Sequence, residues 1–257
     1  MITRASMLGA ILSTAMTIMI PVSSDAKAKP PAAPTVIFVH GLFADGSSWE
    51  KVIPILQSHG LQVVSVQNPL TSLSDDVAAT QRAIDSQTGP VILVGHSWGG
   101  VVITEAGNDA KVRALVYVSA FAPASGQSIN DIVAGLPTPA WESELVNEGT
   151  FLKLSPAGVA TFFAPDLTER EIGVLTATQG PFLLAALANR VTRAAGETKP
   201  SWWVIPAEDQ IINPDLQAAM AARINATVTK ISSSHVAMLS HPSEVAEVIL
   251  KAAAAAR

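Results

Sequence analysis

A serine, an aspartate and a histidine stand in this chain in settings that suit nucleophilic catalysis. Ser97 is the centre of Gly95-His96-Ser97-Trp98-Gly99. The apolar run Val91-Ile92-Leu93-Val94 precedes it, and Gly100-Val101-Val102-Ile103-Thr104-Glu105-Ala106, helical in character, follows. Strand, Gly-x-Ser-x-Gly and helix together predict a sharp turn with the serine hydroxyl at its tip, where only small neighbours fit. A serine hydroxyl is a poor nucleophile at neutral pH until a base takes its proton, and the base needs a carboxylate to fix its tautomer. His235, in Ser232-Ser233-Ser234-His235-Val236, lies four residues past the last apolar strand-like run and is the expected base. Asp209, in Ala207-Glu208-Asp209-Gln210, follows the run Ser201–Pro206 and is the expected acid.

The competitors fit other roles. His241 immediately precedes Pro242 and is expected at the start of the final helix; Glu208 reads as a solvated charge. His40 closes a buried strand and His96 sits beside the serine, so both are expected to be structural. An oxyanion formed at Ser97 needs N–H donors. The Trp98 amide is one; Leu42 supplies the second from the loop His40-Gly41-Leu42-Phe43, with Phe43 as the alternative. The substrate pocket is assigned to Phe43, Phe121, Trp141, Phe162 and Met238. No metal and no cofactor is expected: the chain has no cysteine, and its five histidines show no paired-ligand spacing.

These residues need a scaffold that brings separate loops to one edge. Six runs read as strands: Thr35–His40, Gln62–Gln67, Val91–Gly95, Ala114–Ser119, Ser201–Pro206 and Ala226–Ile231. Their near-continuous apolar character suits a parallel sheet covered on both faces. Helical stretches alternate with them, starting near Ser74-Asp75-Asp76, Pro214 and Pro242. The expected fold class is therefore α/β, a six-stranded, mostly parallel, doubly wound sheet. About 80 residues between Ser119 and Ser201 carry no convincing strand, while Ser155-Pro156 and Thr168-Glu169-Arg170-Glu171 look like helix starts. A helical lid over residues 121–198, inserted after the fourth strand, is the expectation. The core is then 35–120 and 199–257.

Composition bounds the partners. The chain has 257 residues, 49% of them hydrophobic and 14% charged, with a net charge of −5. One domain with a full core fits this length, and the absence of a basic stripe argues against nucleic acid. Residues 1–28 read as an export signal: Arg4, an apolar stretch from Met7 to Val22, and Ala26-Lys27-Ala28 as the cleavage site. That stretch falls short of the ~20 residues that span a bilayer, so no stable membrane insertion after cleavage is expected. A Pro-rich spacer, 29–34, then leads into the domain 35–257. The expected location is periplasmic or secreted.

His40-Gly41, Asp45-Gly46-Ser47-Ser48-Trp49, Gly95-His96-Ser97-Trp98-Gly99-Gly100 and Ser234-His235 resemble the α/β-hydrolase superfamily. Within it they are similar to the compact branch of esterases, hydroxynitrile lyases and plant methylesterases. Asn68-Pro69-Leu70 and Ala120-Phe121-Ala122-Pro123 are similar to bacterial members of that branch. The resemblance covers essentially everything from Thr35 onward. It implies the α/β-hydrolase fold, a triad in the order Ser97, Asp209, His235, and no cofactor. The superfamily's two leading antiparallel strands are absent, because the spacer runs straight into Thr35. The expected reaction is hydrolysis of carboxylic esters of small to medium hydrophobic molecules through an acyl-enzyme. A lyase acting on cyanohydrins would want a lysine near the site, yet Val236 and Ala237 follow His235. The same fold also accommodates cleavage of a C–C bond, or the binding of a small ligand without catalysis.

Overall fold

The computed structural model describes residues 33–256. The signal-peptide reading and spacer residues 29–32 lie outside them.

Six strands form one sheet: β1 (Thr35–Val39), β2 (Gln62–Val66), β3 (Val91–His96), β4 (Val112–Val118), β8 (Ser201–Pro206) and β9 (Thr227–Ile231). Their order across it is β2-β1-β3-β4-β8-β9, and every adjacent pair is parallel. Each residue of β1 and β3 is buried, so both faces of the centre are covered. The edge strands β2 and β9 are partly exposed; β9 reads Thr-Val-Thr-Lys-Ile, with its lysine in solvent.

The covering helices begin where cap chemistry permits. α1 (Val52–Ser58) and α9 (Pro242–Ala255) pack on each other, as do α2 (Leu73–Asp85) and α3 (Trp98–Ala106), while α7 (Pro214–Arg223) lies on β8. The Ser72 side chain caps α2, two residues before Ser74. Asn213 caps α7, and Pro214 and Pro242 occupy first-turn positions where a missing N–H costs nothing. The short α8 (Ala237–Ser240) links the His235 loop to α9.

The segment between β4 and β8 corrects the expectation of a purely helical insertion. It holds α4 (Ile129–Val133), the short α5 (Pro156–Gly158) with a π-helical turn Val159–Phe163, and α6 (Glu169–Thr178). It also holds a three-stranded antiparallel sheet, β5 (Leu145–Glu148), β6 (Phe151–Leu154) and β7 (Phe182–Leu183). The strands are two to four residues long and β5 is largely solvated, so no continuous apolar run announces them. Their signal is the turn: Gly149 takes φ +71° in a two-residue connection between β5 and β6. The helix starts agree with the sequence. Ser155 caps α5, and Thr168 and Glu171 form a reciprocal capping box on α6.

Candidate active site

β3 ends in the turn that carries Ser97. The serine has φ +53° and ψ −119°, a backbone conformation that L-residues adopt only when the surroundings enforce it. Close packing does so here. A Cβ on Gly95 would sit 2.5 Å from the Gly99 carbonyl oxygen, so only glycine lets strand and helix meet at this angle. Directly opposite, a Cβ on Gly41 would lie 2.6 Å from Ser97 Cβ, which shows how near the β1 loop comes to the serine.

Asp209 and His235 stand on the loops after β8 and β9. His235 Nδ1–H donates to Asp209 Oδ2 at 2.8 Å, with both side chains fully buried. Asp209 is held on every side. Its Oδ1 accepts from the Ile211 and Ile212 amides at 2.8 and 3.0 Å, and its Oδ2 also accepts from Gln217 Nε2 at 2.8 Å. A carboxylate used as acceptor four times fixes the proton on His235 Nδ1 and leaves Nε2 bare. Among the described residues Nε2 has no hydrogen-bond partner. His235 also lies against the residue preceding the serine, since His96 Nε2–H donates to the His235 carbonyl at 3.1 Å and the two rings are 4.7 Å apart.

Both flanking histidines are structural, as their positions suggested. Burial, and next the neighbouring His235, keep His96 far below the ordinary histidine pKa, so it stays neutral. Burial likewise lowers His40. His40 Nε2 accepts from the Asn68 amide and Nδ1–H donates to the Gly41 carbonyl, both at 2.9 Å. With that carbonyl pinned, the trans peptide turns the Leu42 N–H the opposite way. The Trp98 N–H opens α3 and has no carbonyl one turn earlier to bond.

Ser97 opens into a cavity of about 400 Å³. Leu42, Phe43, Trp98, Phe121 and Trp141 line it, and so do Phe182, Leu187 and Ile211. Among the described residues Glu142 is the one charged residue on its wall. Two pocket assignments are corrected. Met238 is fully buried within α8 as part of the main core and does not reach the cavity. Phe162 is half-buried and does not line it either, because the π-helical turn directs Val159 and Phe163 inward instead. The Phe163 ring lies 5.2 Å from His235 and 6.0 Å from Phe43.

Three site residues escaped the sequence reasoning. Gln217, on α7, ties Asp209 to the Ile212 carbonyl through Nε2 and accepts from Trp203 Nε1 at 3.3 Å. Asp166, in the insertion, accepts from the Ser234 amide at 2.9 Å and from the Ser234 hydroxyl, gripping the loop that carries His235. Asp76, fully buried on α2, accepts from Trp98 Nε1 at 2.6 Å. Burial pushes its carboxyl up to about 6, against the lowering pull of the Trp98 and Leu70 hydrogen bonds. None carries a motif; each is recognisable only from its partners in space.

The sequence profile of the alpha/beta hydrolase family matches residues 36–248. A probable hydrolase, R7, from a Phoma species is 26% identical over 253 residues, covering 86% of this chain and 98% of the relative. The alpha-hydroxynitrile lyase of Arabidopsis thaliana is 23% identical, covering 81% and 93%. Among solved structures, a pyrethroid hydrolase from Sphingobium faniae JZ-2 superposes with a TM-score of 0.74 at 19% identity, over 86% of this chain and 98% of that one.

Proposed function

The chain belongs to the alpha/beta hydrolase family, and from that premise we propose that it is an exported serine esterase. In this reading Ser97 attacks the ester carbonyl while His235 Nε2 takes its proton. Asp209 stabilises the imidazolium formed at Nδ1. The Leu42 and Trp98 amides receive the oxyanion, and His235 returns the proton to the departing alcohol. Water activated by the same nitrogen then releases the acid from the acyl-enzyme. The observation that carries the proposal is the buried Asp209–His235 hydrogen bond with Nε2 left bare beside the Ser97 turn. No metal takes part in this scheme.

Substrate class follows from the wall. A cavity of about 400 Å³ lined mainly by aromatic and aliphatic side chains, with Glu142 as a charged exception, suits an uncharged ester with small to medium hydrophobic acyl and alcohol parts. Residues 121–198 act as the lid that excludes water. Among the described residues no lysine lines the cavity, and the proposal takes hydrolysis over the cyanohydrin chemistry of the lyase relative. The test is a panel of p-nitrophenyl esters of increasing acyl length. Each buried methylene is worth about 0.8 kcal/mol, so kcat/KM should rise about fourfold per carbon until the cavity is full. A panel with no length dependence, or no turnover of any member, contradicts the proposal.

A further inference from the structure

Asp76 is a carboxylate where elementary electrostatics disfavours one. It is fully buried, and its two oxygens face donors on neutral groups: Oδ1 takes the Leu70 amide at 2.8 Å and Oδ2 takes Trp98 Nε1–H at 2.6 Å. Asp75, next to it on α2, adds repulsion. An uncompensated buried charge costs several kcal/mol, which a well-packed apolar side chain would avoid. The two donors identify what it holds.

One is the indole of the residue that follows the nucleophile. The Trp98 side chain has two soft torsions, and a hydrogen bond at its far edge fixes both. Its main-chain N–H lies at the other end of the same residue, at the first position of α3, and the residue contributes to the cavity wall. The second donor belongs to a turn where Leu70 takes φ +59°. The Leu70 carbonyl in turn accepts the Leu183 N–H of β7 at 2.9 Å. Phe182, beside Leu183, lines the cavity and packs edge-on against Phe43 at 5.4 Å. One side chain thus joins the serine turn to the insertion that covers it.

We propose that Asp76 is a positioning residue that sets the Trp98 amide for oxyanion binding and locks the Leu70 turn, and with it β7, in register with the serine. The inference rests on the esterase reading of Ser97 and Trp98. Both Asp76 oxygens act as acceptors, so an amide at this place turns an N–H against one of the two donors. A displaced oxyanion donor weakens binding of the transition state more than of the bound ester, so the loss belongs in kcat.

The experiment is a double-mutant cycle with p-nitrophenyl butyrate on the full chain: wild type, Asp76→Asn, Trp98→Phe and the pair. Asp76→Asn is expected to lower kcat by about tenfold or more and to change KM less than about twofold. In the Trp98→Phe background the same substitution is expected to cost a clearly smaller factor, because one of its two partners is already gone and only the Leu70 turn is left to lose. Equal factors in both backgrounds, or an unchanged kcat in folded Asp76→Asn, overturn the proposal. Fluorophosphonate labelling of Ser97 in the wild type separates the two layers, since failure of the esterase reading abolishes labelling whereas failure of this inference leaves it intact. A second readout needs no Asp76 variant. Of the five tryptophans, the indole N–H resonance deleted by Trp98→Phe should lie furthest downfield, as a charge-assisted hydrogen bond requires, and should shift when Ser97 is phosphonylated. An ordinary, unmoved resonance overturns the proposal equally.

Discussion

Ser97 is the reacting residue of the proposed mechanism, but its competence depends on groups that never touch substrate. Asp209 commits both oxygens to fixed donors, so it cannot turn away from His235, and Gln217 is the one side chain other than the histidine in that set. Gln217→Met keeps the volume and removes the donor. A hydrogen bond to a charged acceptor is worth about 1.5–3 kcal/mol, so the variant should unfold more easily by that order. It should also lose about tenfold or more in kcat, with KM little changed, because an Asp209 free to rotate holds the imidazole less firmly. Chemical denaturation and steady-state kinetics check both halves; a stable variant with full kcat removes Gln217 from the site.

At the scale of elements, the insertion is fastened to the loops it covers. Asp166 bonds the Ser234 amide, Trp141 Nε1–H donates to the Ile211 carbonyl at 3.1 Å, and Lys51 pairs with Glu171 of α6 while donating to the Leu239 carbonyl at 2.8 Å. The first two bonds reach the loops that carry His235 and Asp209. The ion pair is about one-third exposed at each end, so solvent screening keeps its contribution to about 1 kcal/mol or less. Asp166→Ala is expected to matter more. It frees the Ser234 loop and should lower kcat about tenfold while KM changes little; a rise in KM alone would assign Asp166 to substrate binding. The central strands and helix caps were legible in the sequence because their physics is local: β1 and β3 are unbroken apolar runs, and Ser155, Thr168, Pro214 and Pro242 cap or open helices by their own chemistry. Ser97, Asp209 and His235 were legible because each follows a strand end. The β5–β7 sheet was hidden in strands too short for periodicity, and nothing in the sequence announces the π-helical turn that buries Phe163 and leaves Phe162 half-buried away from the cavity. Gln217, Asp166 and Asp76 act across 8, 68 and 22 residues of separation and announce themselves only through partners.

For the molecule as a whole, Asp76 links the site to folding stability. An aspartate in an unfolded chain titrates near ~3.9, whereas burial raises Asp76 to about 6. The native state therefore holds this proton more tightly than the unfolded chain. The group's contribution is most favourable below about pH 4, declines as pH rises toward ~6, and is then lost. The shift corresponds to about 3 kcal/mol. Against Asp76→Asn, which does not titrate, the wild type should lose about that much unfolding free energy between about pH 4 and pH 7. Urea denaturation of the pair at both pH values measures it; a pH-independent difference would show that Asp76 does not titrate in this range.

The central claim is that Ser97 is the nucleophile. Its most direct test is incubation of the folded protein with a fluorophosphonate, followed by intact-mass analysis and peptide mapping. The account predicts a single adduct on the peptide containing Gly95-His96-Ser97-Trp98-Gly99, no adduct on Ser97→Ala, and loss of ester hydrolysis in step with labelling. An adduct on any other peptide, or unchanged hydrolysis after complete labelling of Ser97, would contradict it.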